Sequence, residues 1–497
     1  MAEKRVAVIG AGLGGLSAAI RLAHAGFRVD LYDQQPLVGG KAGTKHHGKF
    51  RFDTGPSLLT MLPVFEQLFR EAGQQLEDHL DFIPLAPICH YYFPDGTRLF
   101  SYSEVERFGD EIEAKTLDNR QALERYLTYG RRIYENAAEL FLWNSLHELS
   151  SYLKVFSLRG LLNLGKIDAF RSMDAANRSF FRDPRIVQLF DRYATYNGSS
   201  PYQVPATLNI IPYVEHGQGG YAVAGGIYAI PAALGKLAEK LGVRVILNTR
   251  VERILHQNRR IRGIRVAGES LAYDIVVSNA DVLRTYEDLL EDLQARLARR
   301  YQALEPSSSG LVFFWGMKES FPELGVNNIF FSDDYPREFR ELFVERICPE
   351  DPTVYVNITS KVTPEDAPAE GENWFVLVNA PCNVGQDWPG QAAASRERIL
   401  SRLQHALGRA VDGAIAAEEV MTPQDIERNT GSRLGSLYGI SSNTSMAAFL
   451  RHPNRSRRYR GLYFCGGSVH PGGGMPLAIL SGKIASDLIR RHEGGAA

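Results

Sequence analysis

The chain has 497 residues, 44% of them hydrophobic, enough to bury a large core and to fill two or three domains. Its 56 basic and 57 acidic residues cancel to a net charge of −1, without a basic tail or a long like-charge block, which argues against nucleic acid as a partner. Cys89, Cys348, Cys382 and Cys465 show no metal-ligand spacing, so no metal is expected and the thiols read as the reduced structural thiols of a cytoplasmic protein.

In chain order, "KRVAVIG" is a β-branched run fit for a buried strand. Gly10, Gly12 and Gly15 then give G-x-G-x-x-G, and "LSAAIRLAHAG" supplies an apolar-periodic helix closed by Gly26. That is a strand, a tight turn and a helix whose N-terminus faces the pyrophosphate of a dinucleotide. The apolar start could pass for a signal h-region, but its glycine spacing fits the nucleotide turn and no cleavage pattern follows. "RVDLYD" is a second strand ending in Asp33, 18 residues after Gly15 and close to the spacing of an acid that holds a ribose hydroxyl. Asp30 is the weaker candidate, since alternation places it within the strand. Two further stretches follow, "VGGK" at 38–41 and "FRFDTGPSLL" at 50–59.

Residues 140–167 place Leu142, Leu146, Leu149, Leu153 and Phe156 on one helical face, with Trp143, Lys154, Arg159 and Lys166 nearby. The pattern suits a helix lying in a membrane interface and equally an internal core helix. Arg192, Tyr193 and Tyr196 lie near an expected cavity wall, but aromatics at such spacing are more often core, and they receive no role. A helix is expected over Pro231–Leu241, then a strand and a hairpin through "NRRIRGIRV", then another strand in "YDIVVSNAD" at 273–281. The C-terminal part reads as a strand, a glycine turn and a closing helix with Pro476 in its first turn. The uncharged stretches 216–235 and 465–482 are too rich in Gly and Pro to be membrane spans. No internal repeat is evident.

"VGGK", "FRFDTGPSLL" and "GLYFCGGSVHPGGGMPLAIL" together resemble the amine oxidase and phytoene desaturase superfamily, and the likeness to bacterial carotenoid desaturases runs essentially end to end. Residues 310–343 and "GGSVHPGGG" look most like the carotenoid 3,4-desaturases, also called hydroxyneurosporene or 1-hydroxycarotenoid desaturases. The resemblance implies an α/β fold: a Rossmann-type FAD-binding domain with an inserted α+β substrate domain. The FAD domain would comprise 1–85, 216–299 and 426–497, and the substrate domain 86–215 and 300–425.

The cofactor implied is FAD, held by Gly10, Gly12, Gly15, Asp33, Gly40, Lys41, Val251, Gly467, Gly474 and Met475. The family commonly has Glu and Arg where this chain has Asp33 and Lys41, the one a methylene shorter and the other unable to make a bidentate fork. The backbone at Val251 would meet the adenine, and the helix starting at Met475 would point at the flavin N1 and C2 carbonyl. The family's reaction moves a hydride from an allylic carbon to flavin N5 while a neighbouring carbon loses a proton. His470 is the one ionisable residue placed near the ring, as a base for that proton or as a histidine that only fixes the turn.

A carotenoid substrate, a monotopic contact with the inner membrane of a bacterium and room for a homo-oligomer complete the expectations. A phytoene or other carotene desaturase is the alternative. A non-catalytic prenyl-binding protein of the same fold is the second.

Overall fold

Arg5–Ile9 reads RVAVI, with Val6, Ala7, Val8 and Ile9 all buried, the near-continuous apolar run of a parallel strand covered on both faces. In a computed structural model describing residues 4–148, 167–444 and 451–494, this strand is the centre of a five-stranded sheet. The order is Leu462–Phe464, Ile275–Ser278, Arg5–Ile9, Arg28–Tyr32 and Arg244–Ile246, every neighbouring pair parallel. Helices Leu13–His24, Ala229–Lys240 and Met475–Ile489 cover one face and share a core that includes Leu16, Leu31, Leu234 and Ile479.

The other face packs on a three-stranded antiparallel sheet, Val251–Gln257, Arg260–Val266 and Glu269–Ala272. Asn258 and Arg259 make its first turn with φ of 49° and 59°, the left-handed pair that a tight hairpin requires. Asp30 is engaged inside this layer. Its carboxylate accepts from the Tyr273 hydroxyl at 2.5 Å and pairs with Arg5 at 3.3 Å, so it ties the two sheets together.

A second, seven-stranded sheet has the order Ile415–Met421, Ser309–Met317, Glu372–Ala380, Val354–Ile358, Asn327–Phe330, Cys89–Tyr92 and Arg98–Ser101. It is antiparallel except where Asn327–Phe330 lies beside Cys89–Tyr92. Helix Trp388–Leu407 covers one face through Ile399 and Leu403. Phe50 and Phe52 press on Phe314 and Phe375 of the opposite face, so the N-terminal segment reaches across to the second sheet. Helices Arg120–Phe141, Met173–Phe180 and Pro184–Asp191 add an aromatic core of Tyr126, Phe181 and Phe190.

Two expectations change. The helix placed at Pro231–Leu241 runs Ala229–Lys240, because Asp53 accepts from the amides of Ile227 at 2.8 Å and Tyr228 at 3.1 Å and so moves the start back. The single amphipathic helix over 140–167 is not formed in its first part. Helix Arg120–Phe141 ends at the C-cap Leu142, and 143–148 are turns. Leu142 and Trp143 pack on the core of the five-stranded sheet rather than on a common outer stripe. Asn144 and Ser145 follow, and the Ser145 hydroxyl accepts from the His147 amide at 3.4 Å, a local bond that competes with helix continuation. Leu149, Leu153, Lys154, Phe156, Arg159 and Lys166 lie outside the described residues.

Gly15 shows how tightly the first turn is packed: a Cβ there would lie 2.0 Å from the Gly10 carbonyl oxygen. Gly15→Ala is therefore expected to cost about 3 kcal/mol or more, the upper part of the overpacking range. Gly26→Ala meets nothing within 4 Å but must hold a φ of 84°, and should cost only about 1–2 kcal/mol. Urea midpoints of the two variants check the order.

Candidate functional site

Two glycine turns leave the carboxyl ends of Arg5–Ile9 and Leu462–Phe464, strands that flank Ile275–Ser278 in the sheet. At the first, Gly10 takes φ 99° and Gly12 is the N-cap of helix Leu13–His24 without a side-chain cap. At the second, Gly466 takes φ 98°, and Gly474, at φ 105°, caps Met475–Ile489, again without a side-chain bond. Both helices therefore present bare amides at the strand ends, where open α/β sheets bind their ligands.

The second glycine pair packs on the first turn. The Gly39 amide donates to the Ala11 carbonyl at 2.8 Å, and a Cβ at Gly40 would come within 3.3 Å of the Gly12 Cα. Asp33 sits on the same corner. Its Oδ2 accepts from the Ala11 amide at 2.6 Å and its Oδ1 from the Gln35 amide at 2.8 Å. Burial still raises its pKa above the ordinary carboxylate value, against the pull of these amides. The Thr249 amide donates to the Asp33 carbonyl at 2.8 Å, and buried Val251 opens the next strand, so Gly10, Gly12, Gly40, Asp33 and Val251 gather at one end of the cleft.

Lys41 is directed elsewhere. Its Nζ donates to the carbonyls of Ser436 at 2.9 Å and Leu437 at 2.7 Å, and burial pulls its pKa down to about 8 despite Asp281 nearby. No carboxylate pairs with it within 4 Å among the described residues. The 436–439 segment also closes over the other turn, because a Cβ at Gly473 would run into Tyr438 at 2.8 Å and one at Gly439 into Ser468 at 3.0 Å.

His470 lies in the second turn, 3% exposed, with its Nε2 donating to the Asn144 carbonyl at 2.9 Å. Its own carbonyl accepts from Asn454 Nδ2 at 2.9 Å and the Ser481 hydroxyl at 2.8 Å. Burial pushes its pKa down to about 3, so the ring is neutral across the physiological range. Gly467 gives its carbonyl to Arg451 Nη1 at 3.3 Å, and the same Nη1 reaches the Tyr438 carbonyl at 2.8 Å. Arg451 is buried with carbonyls and the Asn197 amide oxygen as its acceptors.

Asn279 is the residue that sequence reasoning missed. It follows Ser278, its amide donates to the Ile9 carbonyl at 2.8 Å, and its Nδ2 donates to the Gly10 carbonyl at 3.2 Å. A Cβ at Gly12 would meet this side chain at 2.9 Å, one at Gly14 at 2.7 Å and one at Gly466 at 2.5 Å. Asn279 thus stands between the two turns and fixes their separation. Only its place at the end of a strand, in "SNAD", hinted at it.

The residues present fit a flavin dinucleotide: two uncapped helix N-termini, an acid beside the first turn and glycines where side chains would obstruct. The four cysteines are buried and unpaired, and no cluster of metal ligands occurs among the described residues. A parallel nucleotide sheet joined to a second, mostly antiparallel sheet is the plan of a flavoprotein oxidoreductase. The chain belongs to the flavin-containing amine oxidoreductases, whose family pattern matches residues 13–490.

Among relatives, it is 41% identical over 487 residues to a 1-hydroxycarotenoid 3,4-desaturase of Flavobacterium sp. (strain P99-3), covering 98% of this chain and 99% of that one. It is 37% identical to a 4,4'-diapolycopene oxygenase of Methylomonas sp, with 98% of each chain covered. Among solved structures, an oxidoreductase from Methanosarcina mazei superposes with a TM-score of 0.63 at 17% identity, covering 97% of this chain and 100% of that one.

Asn279→Ala removes the strut between the turns and its bond to the Gly10 carbonyl. The expected loss is about 1–3 kcal/mol, the range for leaving a buried acceptor unpaired. Urea denaturation of the apoprotein measures it.

Proposed function

We propose that the protein is an FAD-dependent carotenoid desaturase that forms a 3,4 double bond on a 1-hydroxylated acyclic or monocyclic carotenoid. The observation that carries the reading is the 41% identity to a 1-hydroxycarotenoid 3,4-desaturase along almost the whole of both chains. Residues 1–85, 216–299 and 426–497 form its flavin half, and 86–215 and 300–425 its substrate half.

Bound FAD supplies a two-electron hydride acceptor. Gly10 and Gly12 would let the pyrophosphate approach the helix amides, Gly15 lets the helix pack on the Gly10 carbonyl, and Gly40 keeps the adjoining turn out of the way. Asp33 would hold a ribose hydroxyl on lone pairs left by its two amide bonds, and the Val251 backbone would meet the adenine. At the other turn, Gly467 and Gly474 would leave room for the flat ring, and the amides from Met475 onward would favour negative charge on it.

His470 is a positioning residue in this reading. Its neutral ring is held on the Asn144 carbonyl, and its carbonyl anchors the turn. The protein's own share is orientation of the substrate against the flavin site. The enzyme meets its insoluble substrate at the inner membrane of a bacterium. Phe170, 96% exposed, supports a contact beside the end of the 140–167 region, and no helix among the described residues is long and apolar enough to cross a bilayer.

Two measurements test the reading. Supplied with a 1-hydroxylated carotenoid, its unhydroxylated analogue and phytoene, the FAD-loaded enzyme should red-shift the absorption of the first and leave phytoene colourless. Coloured products from phytoene would transfer it to the carotene desaturases. Oxygenated end groups would favour the activity named for the 37% relative.

The second is a pH profile. Lys41, held on the Ser436 and Leu437 carbonyls rather than on a phosphate, would be kept charged by the negative charge of bound FAD, whereas in the apoprotein it titrates at about 8. Above that pH binding must take up a proton, so FAD affinity should fall by up to about tenfold per pH unit. Fluorescence titration of the apoprotein should show this slope, and Lys41→Met should lack it.

A further inference from the structure

Arg192 is 7% exposed and sits in the aromatic core beside the second sheet. Its Nη2 donates to the Tyr91 hydroxyl at 3.1 Å and its Nη1 to the Tyr196 hydroxyl at 3.3 Å, while its Nε is buried without an acceptor among the described residues. The neighbouring carboxylate, Glu215, is 1% exposed but does not take up the guanidinium as a bidentate partner. Its Oε1 and Oε2 are taken by the hydroxyls of Tyr193 at 2.6 Å and Tyr196 at 2.8 Å, and its nearest contact with Arg192 is 3.9 Å.

A pair that served only to hold two elements together would close the fork on the carboxylate, which is worth most in a dry interior. Here Glu215 is satisfied by phenols, and the guanidinium is left with weak phenol acceptors and one donor unused. An unpaired buried donor is costly, and such a donor is kept where something else accepts from it. The charges of Arg192 and Glu215 cancel, so the cluster suits a neutral oxygen rather than an anion.

Its location fits the end of a polyene. One turn of chain further on, Asn197 accepts from Arg451, which in turn holds the Gly467 carbonyl of the ring-side turn. A hydroxyl at C1 is separated from the reacting C4 by C2 and C3 alone, so a group that reads it must stand beside that turn. Aromatic faces around the guanidinium, with Arg192 4.5 Å from the Tyr193 ring centroid, provide the apolar walls that a carotenoid end requires.

We infer that Arg192, with the Tyr91 and Tyr196 hydroxyls, forms the subsite that recognises a neutral oxygen on the near end of the carotenoid and so sets the preference for a hydroxylated substrate. This rests on the desaturase reading above. A site built to bond a hydroxyl rejects the analogue lacking it, and loses that discrimination when its donors are removed.

The test uses FAD-loaded protein and two carotenoids identical but for the C1 hydroxyl, supplied in detergent micelles, with initial rates read from the red-shifted product. Wild type should favour the hydroxylated compound. In Arg192→Lys, which keeps the charge and loses the planar fork, the ratio of kcat/KM for the two should fall roughly tenfold or more. The change should lie chiefly in KM for the hydroxylated compound, with the flavin content unaltered.

Tyr196→Phe and Tyr91→Phe each remove one oxygen, keep the ring and should lower the ratio in the same direction, which secures the test if Arg192→Lys does not fold. Equal treatment of the two carotenoids by wild type overturns the assignment, as does an unchanged ratio in the variants. A wild type that converts neither compound overturns the desaturase reading itself.

Discussion

The site depends on one arrangement: two helix N-termini with no side-chain caps brought to the same cleft by strands on either side of Ile275–Ser278. Bare amides at a helix start are a cost when buried and a gain when an anion or an electron-rich edge meets them. The turns are therefore built from glycine, which leaves the amides open, and are held apart by a residue that is not itself at either helix start. Asn279 does this with a backbone bond to Ile9 and a side chain between Gly10, Gly12, Gly14 and Gly466. Without a strut the glycine turns would have only their own conformational freedom to define them.

Charge around the cleft follows the same logic. Lys41 and Arg451 both terminate on carbonyl oxygens among the bonds they make, and each is pulled below its ordinary pKa by burial. The protein thus carries positive charge at the turns that its own carboxylates do not take up directly. Asp33 carries the opposite charge at the far corner, locked on two backbone amides. A ligand with negative phosphates and neutral hydroxyls matches this division, whereas a neutral ligand would leave the cations uncompensated.

Much of this was legible in the chain, and the limits have physical causes. The first strand, glycine turn and helix were readable because one local motif imposes all three, and a parallel strand buried on both faces announces itself as an unbroken apolar run. The place of Asp30 followed from alternation. Asn279 was not legible, since an asparagine after a strand is an ordinary turn residue until the fold puts a second glycine turn against it. The start of the helix at Ala229 was missed because its cap is Asp53, far away in the chain. The break at Leu142 was missed because hydrophobic spacing says which residues share a face only if the helix continues, and cannot see that Leu142 and Trp143 are drawn onto a core.

The cluster around Arg192 illustrates a further limit of reading by pattern. Tyr193 and Tyr196 do lie in an aromatic core, as their spacing suggests, yet their hydroxyls bind Glu215 and their rings flank a guanidinium. Aromatic residues serve both purposes at once, since the ring contributes apolar area while the phenol oxygen supplies a partner for polar groups that could not otherwise be buried. For a substrate that is almost wholly hydrocarbon, this double character has a consequence. Apolar contact can enclose a polyene but hardly fixes it along its length, because each methylene position resembles the next. Register must come from a polar anchor near the reacting carbon, and such an anchor is tolerable in a dry core only if its charges cancel and its remaining bonds are made by phenols.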